Sequence, residues 1–137
     1  RALSGSEEII LGADTIVLVD DIILGKPDDK TEAARYLRLL SGRAHHVITG
    51  VSLIRGEHVD SFSVDTRVYF RELSSDDIQY YVDNYHPMDK AGAYAIQEWI
   101  GVRGVERIDG DYFNVVGLPV SEVIAHLRIF TGEAENG

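Results

Sequence analysis

Short runs of β-branched and aliphatic residues dominate the first fifth of the chain. Within EEIILGADTIVLVDDIILGKP, three such runs predict strands at Ile9–Leu11, Ile16–Val19 and Ile22–Leu24. Asp20-Asp21 separates the last two runs and predicts the tight turn of a hairpin. The GADT motif lies between the first two runs, which places its aspartate, Asp14, where an apolar strand ends.

Three later segments have the apolar spacing of amphipathic helices. Thr31–Gly42 carries one apolar stripe and is predicted to be capped by its first residue or by an aspartate just before it. Leu73–Tyr85 is predicted to begin at Ser74, with Asp77 three residues later. Ser121–Phe130 has the same spacing and predicts the last helix.

The remaining periodic segments predict strands. His45–Ile54 favours a strand interrupted by Gly50, and Val59–Phe70 alternates apolar and polar residues as a half-solvated strand does. The second of these is expected to run antiparallel to the first. Tyr112–Val116 is predicted to be a further strand, ending at a Gly-Leu-Pro turn.

These elements predict one α/β domain over residues 1–137, with three helices flanking a mixed, twisted sheet. The polar tail, residues 131–137, is expected to fray. The opening RALSGSEE predicts the end of a helix that runs into a loop. Because the chain does not begin with methionine, we expect further residues upstream.

Composition narrows the class of protein. Hydrophobic residues make up 45% of the 137 residues, enough for a buried core. The chain has no cysteine, which excludes disulfides and thiolate metal sites. The net charge of −10 is opposite to the balance that duplex binding requires, whereas a small anionic ligand needs only a few local cations. No segment has the pattern of a membrane span or a signal peptide.

Several short motifs carry candidate chemistry. The carboxylate of Asp14 in GADT suits a metal ligand or a general base, although a polar residue that caps a turn has the same pattern. Lys26 in GKP suits a phosphate, but a surface turn also accounts for it. His45 and His46 are neighbours on a predicted strand, so they point to opposite faces and are interpreted as structural. Phosphate loops of the GxGxxG or GxxxxGK[ST] type are absent from the sequence.

The segment DKAGAYAIQ combines charges, small residues and an amide. Asp89 and Lys90 together suit a divalent ion and a phosphate, although an exposed ion pair is the simpler interpretation. The following Ala91–Ala93 is expected to let a ligand lie against the main chain. Gln97 has both a donor and an acceptor, which is what recognition of a base edge needs, although a surface amide is the simpler interpretation.

Taken together and in order, the motifs GADT, GKP, LSGRAHHVITGV, DTRVYF, DKAGAYAIQ and GDYFNVVGLP resemble the Maf (septum-formation) family of nucleoside triphosphate pyrophosphatases. The resemblance covers about Ile9 to Leu127. It implies a fold like that of the inosine triphosphate pyrophosphatases, an elongated α/β molecule with a cleft between two lobes. It also implies a cytoplasmic and often dimeric enzyme that uses Mg²⁺ or Mn²⁺ to release a monophosphate and pyrophosphate.

The resemblance also implies roles for single residues. Asp14 corresponds to the acidic residue expected to accept a proton from the attacking water. Thr15 and Gln97 occupy positions associated with choosing the base. Lys26, together with the charged pair Asp89-Lys90, is expected near the phosphates.

Two features bear on the subfamily and on the extent of the chain. Tyr94 and Gln97 resemble the members that act on dTTP and UTP, whereas members preferring 7-methyl-GTP tend to have Phe and Glu. The SxSPRR-like loop that grips the triphosphate in this family is absent, so the chain is expected to be N-terminally truncated. Without upstream residues, we expect weak hydrolysis and an exposed sheet edge.

Other functions fit some of the same observations. One is a non-catalytic nucleotide-binding regulator of cell division, and another is a Maf paralogue that acts on a different triphosphate such as 7-methyl-GTP. A purely structural domain would leave Asp14, Lys26, Lys90 and Gln97 scattered in space.

Overall fold

A five-stranded sheet forms the framework of the protein, which we describe from a computed structural model over residues 8–132. The strands are β1 (Ile9–Val19), β2 (Ile22–Leu24), β3 (Ala44–Arg55), β4 (His58–Phe70) and β5 (Val105–Asp109), in the spatial order β2-β1-β3-β4-β5. The α/β class with flanking helices is confirmed. All pairings among the described strands are antiparallel, where a mixed sheet was expected. The reason is topological: the helical crossover from β2 to β3 joins two strands of like direction, but β1 lies between them.

The helices flank this sheet. They are α1 (Lys30–Leu40), α2 (Ser75–Asn84), α3 (Trp99–Gly104), α4 (Tyr112–Val116) and α5 (Val120–Thr131), with two single 3₁₀ turns at Pro87–Asp89 and Ala91–Ala93. The α1 cap is the preceding aspartate, Asp29, and the capping box of α2 between Ser74 and Asp77 is confirmed. Thr131 closes α5 rather than belonging to a frayed tail. The expectations for RALSGSE and for residues 133–137 lie outside the described residues.

The predicted β1–β2 hairpin is confirmed. Val19 pairs with Ile22, so Asp20 and Asp21 form a two-residue turn. Both have positive φ, 47° and 65°, as the favoured hairpin turns require. Aspartate adopts this left-handed conformation more readily than bulkier residues do, because its short polar side chain can bond locally.

Two strands are longer than the sequence predicted. β1 continues without a break through GADT, so Asp14 lies in the middle of a strand and not at its end, and pairs with Gly50. β3 likewise continues through Gly50, which pairs with Ser63 on its other side. Ladder bonds to neighbours on both sides of β3 hold this glycine in the strand despite its low strand propensity.

The segment Tyr112–Val116 was predicted to be a strand and is the helix α4. The Asp111 carboxylate accepts hydrogen bonds from the backbone N–H of Phe113, at 2.8 Å, and of Asn114, at 3.4 Å, and this cap starts a helical turn. Gly117, with φ of 140°, ends it. The short elements α3 and β5 were not predicted at all, because neither is long enough to show a clear period.

The main core lies between the sheet and the helices α1 and α2. It includes Val17, Leu37, Val47, Ile78 and Tyr81, all at most 2% exposed. In α5 only Val123 is buried, and Ile124 is 48% exposed. No helix within residues 8–132 is long and apolar enough to cross a membrane. The organisation of residues 1–137 as one domain stays a prediction.

The histidines predicted to be structural lie on opposite faces of β3, as expected. His45 is buried in the core, and His46 bonds to Asp65 on the other face, with Nδ1 2.9 Å from the nearer carboxylate oxygen. His126 was treated as isolated and is not. Its Nδ1 lies 2.8 Å from an Asp60 carboxylate oxygen and its ring stacks on Phe62, which ties α5 to β4.

Candidate active site

One cavity of about 230 Å³ collects every site residue proposed from the sequence. Its lining includes Asp14, Thr15, Lys26, Asp89, Lys90 and Gln97. The other lining residues are Ala13, Val17, Val47, Ala91, Tyr94, Ala95, Val115, Val116 and Gly117. Residues far apart in the sequence therefore meet at one place, which is the opposite of the scattering that a purely structural domain would give.

The first wall of the cavity is β1. Strand alternation turns Ala13, Thr15 and Val17 toward the helices and Asp14 toward the other face of the sheet. β2 pairs only with Val17–Val19, so among residues 8–132 the outer edge of β1 has no strand partner at Asp14. The cavity lies at this open edge, so its lining includes residues from both faces of β1. Asp14 thus stands at the rim, exposed, with no ion pair to another described residue.

The second wall joins two loops that carry lysines. The backbone N–H of Gly92 donates to the carbonyl of Gly25 at 3.0 Å, which fixes the GKP loop beside the DKAGAY segment. Lys26 is exposed and makes no ion pair within the described part of the chain. The Lys90 ammonium lies 2.9 Å from an Asp89 carboxylate oxygen, and this hydrogen bond lowers the pKa of Asp89.

The small residues of DKAGAY serve packing more than ligand access. Gly92 has φ of 70°, and a Cβ built on it would lie 2.8 Å from a methyl carbon of Val17. Ala93 has φ of 69° and is fully buried. Neither lines the cavity, whereas Ala91 and Ala95 do. The expectation that all three residues of Ala91–Ala93 present bare backbone to a ligand is therefore wrong for two of them.

Two buried hydroxyls anchor the rest of this segment. The Tyr94 hydroxyl lies 2.7 Å from His45 Nε2 in the core. The Tyr81 hydroxyl accepts from the backbone N–H of Ala95 at 3.2 Å and donates to the Glu98 carboxylate. Burial, together with the bond to Glu98, raises the pKa of Tyr81. Tyr94, the tyrosine of AGAY, thus bonds to β3 through its hydroxyl and also lines the cavity.

The third wall is α4, and sequence reasoning did not anticipate it. Val115, Val116 and Gly117 have no side-chain chemistry that marks a site. The only signal was their place in the GDYFNVVGLP motif. Asn114, the amide of that motif, is fully buried beneath them: its side-chain nitrogen lies 3.0 Å from the carbonyl oxygens of both Val47 and Val64. This amide pins α4 to β3 and β4.

The carboxylates of the cavity fit a divalent ion only as part of its coordination. Within residues 8–132, no group of three or more His, Asp or Glu side chains is close enough to hold a metal. Mg²⁺ usually keeps several waters and binds through one or two carboxylates plus substrate phosphates. Asp14 and Asp89 are the two carboxylates of the cavity lining, so they are the residues that could supply such ligands.

Comparison with known proteins gives the same family as the sequence motifs indicate. The profile of the Maf-like protein family matches residues 1–130, and the chain belongs to this family. It is 48% identical over 130 residues to the dTTP/UTP pyrophosphatase of Porphyromonas gingivalis, covering 95% of this chain and 65% of the relative.

Two further relatives carry the same name. The protein of Bacteroides fragilis is 49% identical over 128 residues, 93% of this chain and 66% of the relative. That of Phocaeicola vulgatus is 51% identical over 122 residues, 89% of this chain and 63% of the relative. The chain thus spans slightly less than two thirds of the length of the curated relatives it matches.

Proposed function

We propose that this protein is a nucleoside triphosphate pyrophosphatase that hydrolyses dTTP and UTP to the monophosphate and pyrophosphate. The observation that carries the proposal is the single cavity lined by two lysines, two carboxylates and an amide from separate parts of the chain. The name shared by relatives that are 48% to 51% identical supports the choice of substrate. Removal of excess or modified nucleotides from the cellular pool is the role that suits this reaction.

The proposed chemistry assigns each charge a task. Water attacks the α-phosphorus. The bond from this phosphorus to the oxygen that bridges it to the β-phosphate breaks, and pyrophosphate leaves with the bonding electrons. Asp14 accepts the proton of the attacking water. Lys26 and Lys90 offset the negative charge that otherwise repels the nucleophile. Asp89 would hold Mg²⁺ or Mn²⁺ together with the phosphates, and the ion would supply further charge neutralisation.

Base choice in this proposal rests on hydrogen bonds rather than on charge. The Gln97 amide both donates and accepts, which matches the mixed donor and acceptor edge of uracil or thymine. We place the reaction in the cytoplasm, with a nucleotide as the ligand and neither nucleic acid nor membrane as a partner. A homodimer is the assembly that the family resemblance implies.

Pyrophosphate release with dTTP, UTP, CTP, GTP and 7-methyl-GTP tests the proposal, on this chain and on a version extended upstream to the length of its relatives. We expect dTTP and UTP to be the preferred substrates, with the extended version more active. Preference for 7-methyl-GTP would instead identify the alternative paralogue. Equal strong activity of both versions would contradict the expectation that upstream residues grip the triphosphate.

The variant Asp14→Asn separates an enzyme from a regulator that only binds nucleotide. We expect turnover to fall by roughly 10²–10⁴-fold, because the general base is lost, while nucleotide binding persists. Asp21→Asn makes the same chemical change in the β1–β2 turn, outside the cavity, and should leave turnover intact. A wild-type protein that binds UTP without turnover would support the regulator and overturn the proposed enzyme.

A further inference from the structure

A chain of hydroxyls leads from the cavity into the core. Thr15 lines the cavity, and its Oγ1 lies 2.9 Å from Oγ1 of Thr49, the residue opposite it on β3. Thr49 is fully buried and is not part of the cavity lining. Its hydroxyl also lies 3.4 Å from the backbone carbonyl oxygen of Asn114 in α4. Thr49 therefore connects two walls of the cavity from beneath.

The direction of these bonds follows from the needs of the Asn114 carbonyl. Asn114 is fully buried, and within the described part of the chain Thr49 is the donor that reaches its carbonyl oxygen. The backbone N–H groups of Gly117 and Leu118, which follow the helix, both donate to Phe113 instead. The contact with Asn114 is longer than the 2.9 Å contact with Thr15, but a buried carbonyl without a donor is costly, and this cost assigns the Thr49 proton to Asn114.

A hydroxyl has one proton, so the assignment of the Thr49 proton also fixes the direction of the hydrogen bond between Thr15 and Thr49. With its own proton committed to Asn114, Thr49 can only accept from Thr15. Thr15 in turn donates inward, and its oxygen offers only lone pairs to the cavity. The Thr15 hydroxyl oxygen therefore presents a hydrogen-bond acceptor to the cavity.

We infer that Thr49 is a positioning residue for base selection: it holds the Thr15 hydroxyl as an acceptor that matches the ring N3–H of uracil and thymine. Cytosine presents a lone pair at N3, and two acceptors facing each other repel. A site that leaves a buried polar group unpaired rejects the wrong ligand strongly. The inference rests on the proposed function and adds to it a physical basis for choosing UTP and dTTP over CTP.

The test compares Thr49→Val with Thr49→Ser on the upstream-extended chain. Valine keeps the shape of threonine but has no hydroxyl, so Thr15 becomes free to turn its proton toward the ligand. We expect the ratio of kcat/KM for UTP to that for CTP to fall roughly tenfold or more, mainly through KM. Serine restores the hydroxyl and should restore the ratio. Thr131→Val makes the same change at the exposed end of α5 and serves as the control.

A double variant separates positioning from a general loss of packing. Because Thr49 acts through Thr15, the UTP/CTP ratio of Thr15→Val with Thr49→Val should equal that of Thr15→Val alone. A role in packing alone would lower the melting temperature of Thr49→Val and leave its ratio at the wild-type value. That result, in protein shown to be folded by circular dichroism, would overturn the inference; Thr49→Ala replaces the valine variant should it fail to fold.

Binding measurements keep this inference separate from the proposed function. Equilibrium titration with UTP and CTP in the absence of divalent ions reports selectivity without turnover. Binding that prefers UTP, with no hydrolysis by the wild type, contradicts the enzyme and still supports Thr49 if its valine variant loses the preference. Hydrolysis of UTP with an unchanged ratio in Thr49→Val contradicts the role of Thr49 alone. A wild type that neither binds nor hydrolyses UTP overturns both.

Discussion

The hydroxyl of Tyr94 and Nε2 of His45 lie 2.7 Å apart in the core, which joins a cavity-lining segment to the middle strand of the sheet. Both rings also meet the ring of Phe70 edge-on, with centroids 4.9 Å and 5.1 Å from it. Burial lowers the pKa of His45 to about 3 and raises the pKa of Tyr94. The pair is thus an uncharged hydrogen bond, and the DKAGAY segment depends on His45 remaining neutral.

The buried histidine predicts a dependence of stability on pH. The pKa of His45 is lowered by folding from its ordinary 6.5 to about 3, so the unfolded chain binds the extra proton between these values. Stability is therefore fully present above pH 6.5 and is lost as pH falls toward 3. The slope from this one group is at most about 1.4 kcal/mol per pH unit. Urea unfolding at pH 7, 6 and 5 measures it.

The variant His45→Gln isolates this contribution, because glutamine does not titrate and can still bond to Tyr94. We expect the variant to be less stable than the wild type at pH 7 and to lose less stability between pH 7 and 5. His58→Gln, an exposed change at the start of β4, is the control and should keep the wild-type slope. Equal slopes for wild type and His45→Gln would show that folding does not lower the pKa of His45.

Local signals predicted the parts of the fold that local forces determine. The Asp20-Asp21 turn and the box between Ser74 and Asp77 each rest on residues within four positions, and both were predicted. α4 was not, because Tyr112 and Phe113 favour strands by composition while the Asp111 cap and the burial of Asn114 require a helix. Tertiary contacts of one amide outweighed the propensity of two aromatic residues.

The site shows the same division. Charged and amide residues such as Asp14, Lys26 and Gln97 were recognisable as candidates because their chemistry is visible in the sequence and their order resembles a known family. Their meeting in one cavity required the fold. The buried residues Thr49 and His45, which bond to the lining residues Thr15 and Tyr94, gave no such signal, since a threonine or histidine inside a strand segment is compatible with many environments.

Gly92 gives a prediction about the packing behind the cavity. An alanine there would have φ of 70°, which costs roughly 1–2 kcal/mol, and its Cβ would lie 2.8 Å from a methyl carbon of Val17. We expect Gly92→Ala to lower the free energy of unfolding by more than the backbone term alone. Gly25→Ala is the matched control, because nothing lies within 4 Å of the Cβ it would add.

A second substitution divides the two causes. Val17→Ala removes the methyl groups that the new Cβ would meet, so Gly92→Ala should cost less in that background than in the wild type. The remaining cost then comes from the left-handed backbone and from the Cβ of residue 17, which lies 3.1 Å from the new Cβ. Identical costs in both backgrounds, measured by urea unfolding, would mean that the contact with Val17 relaxes without penalty.

Lys26 provides the sharpest electrostatic prediction, because it is exposed, makes no ion pair within residues 8–132 and lines the cavity beside Lys90. Since its charge is not committed elsewhere, Lys26→Gln should reduce kcat/KM for UTP by roughly 10–100-fold without changing stability. Lys30→Gln removes the same charge from the exposed start of α1 and should leave kcat/KM unchanged.

The dependence on salt gives an independent check of the role of Lys26. Attraction between an exposed lysine and phosphate weakens as ionic strength rises, so KM for UTP should increase with salt more steeply in the wild type than in Lys26→Gln. Parallel salt curves, with kcat/KM equal in the two proteins, would show that Lys26 lies outside the path of the phosphates.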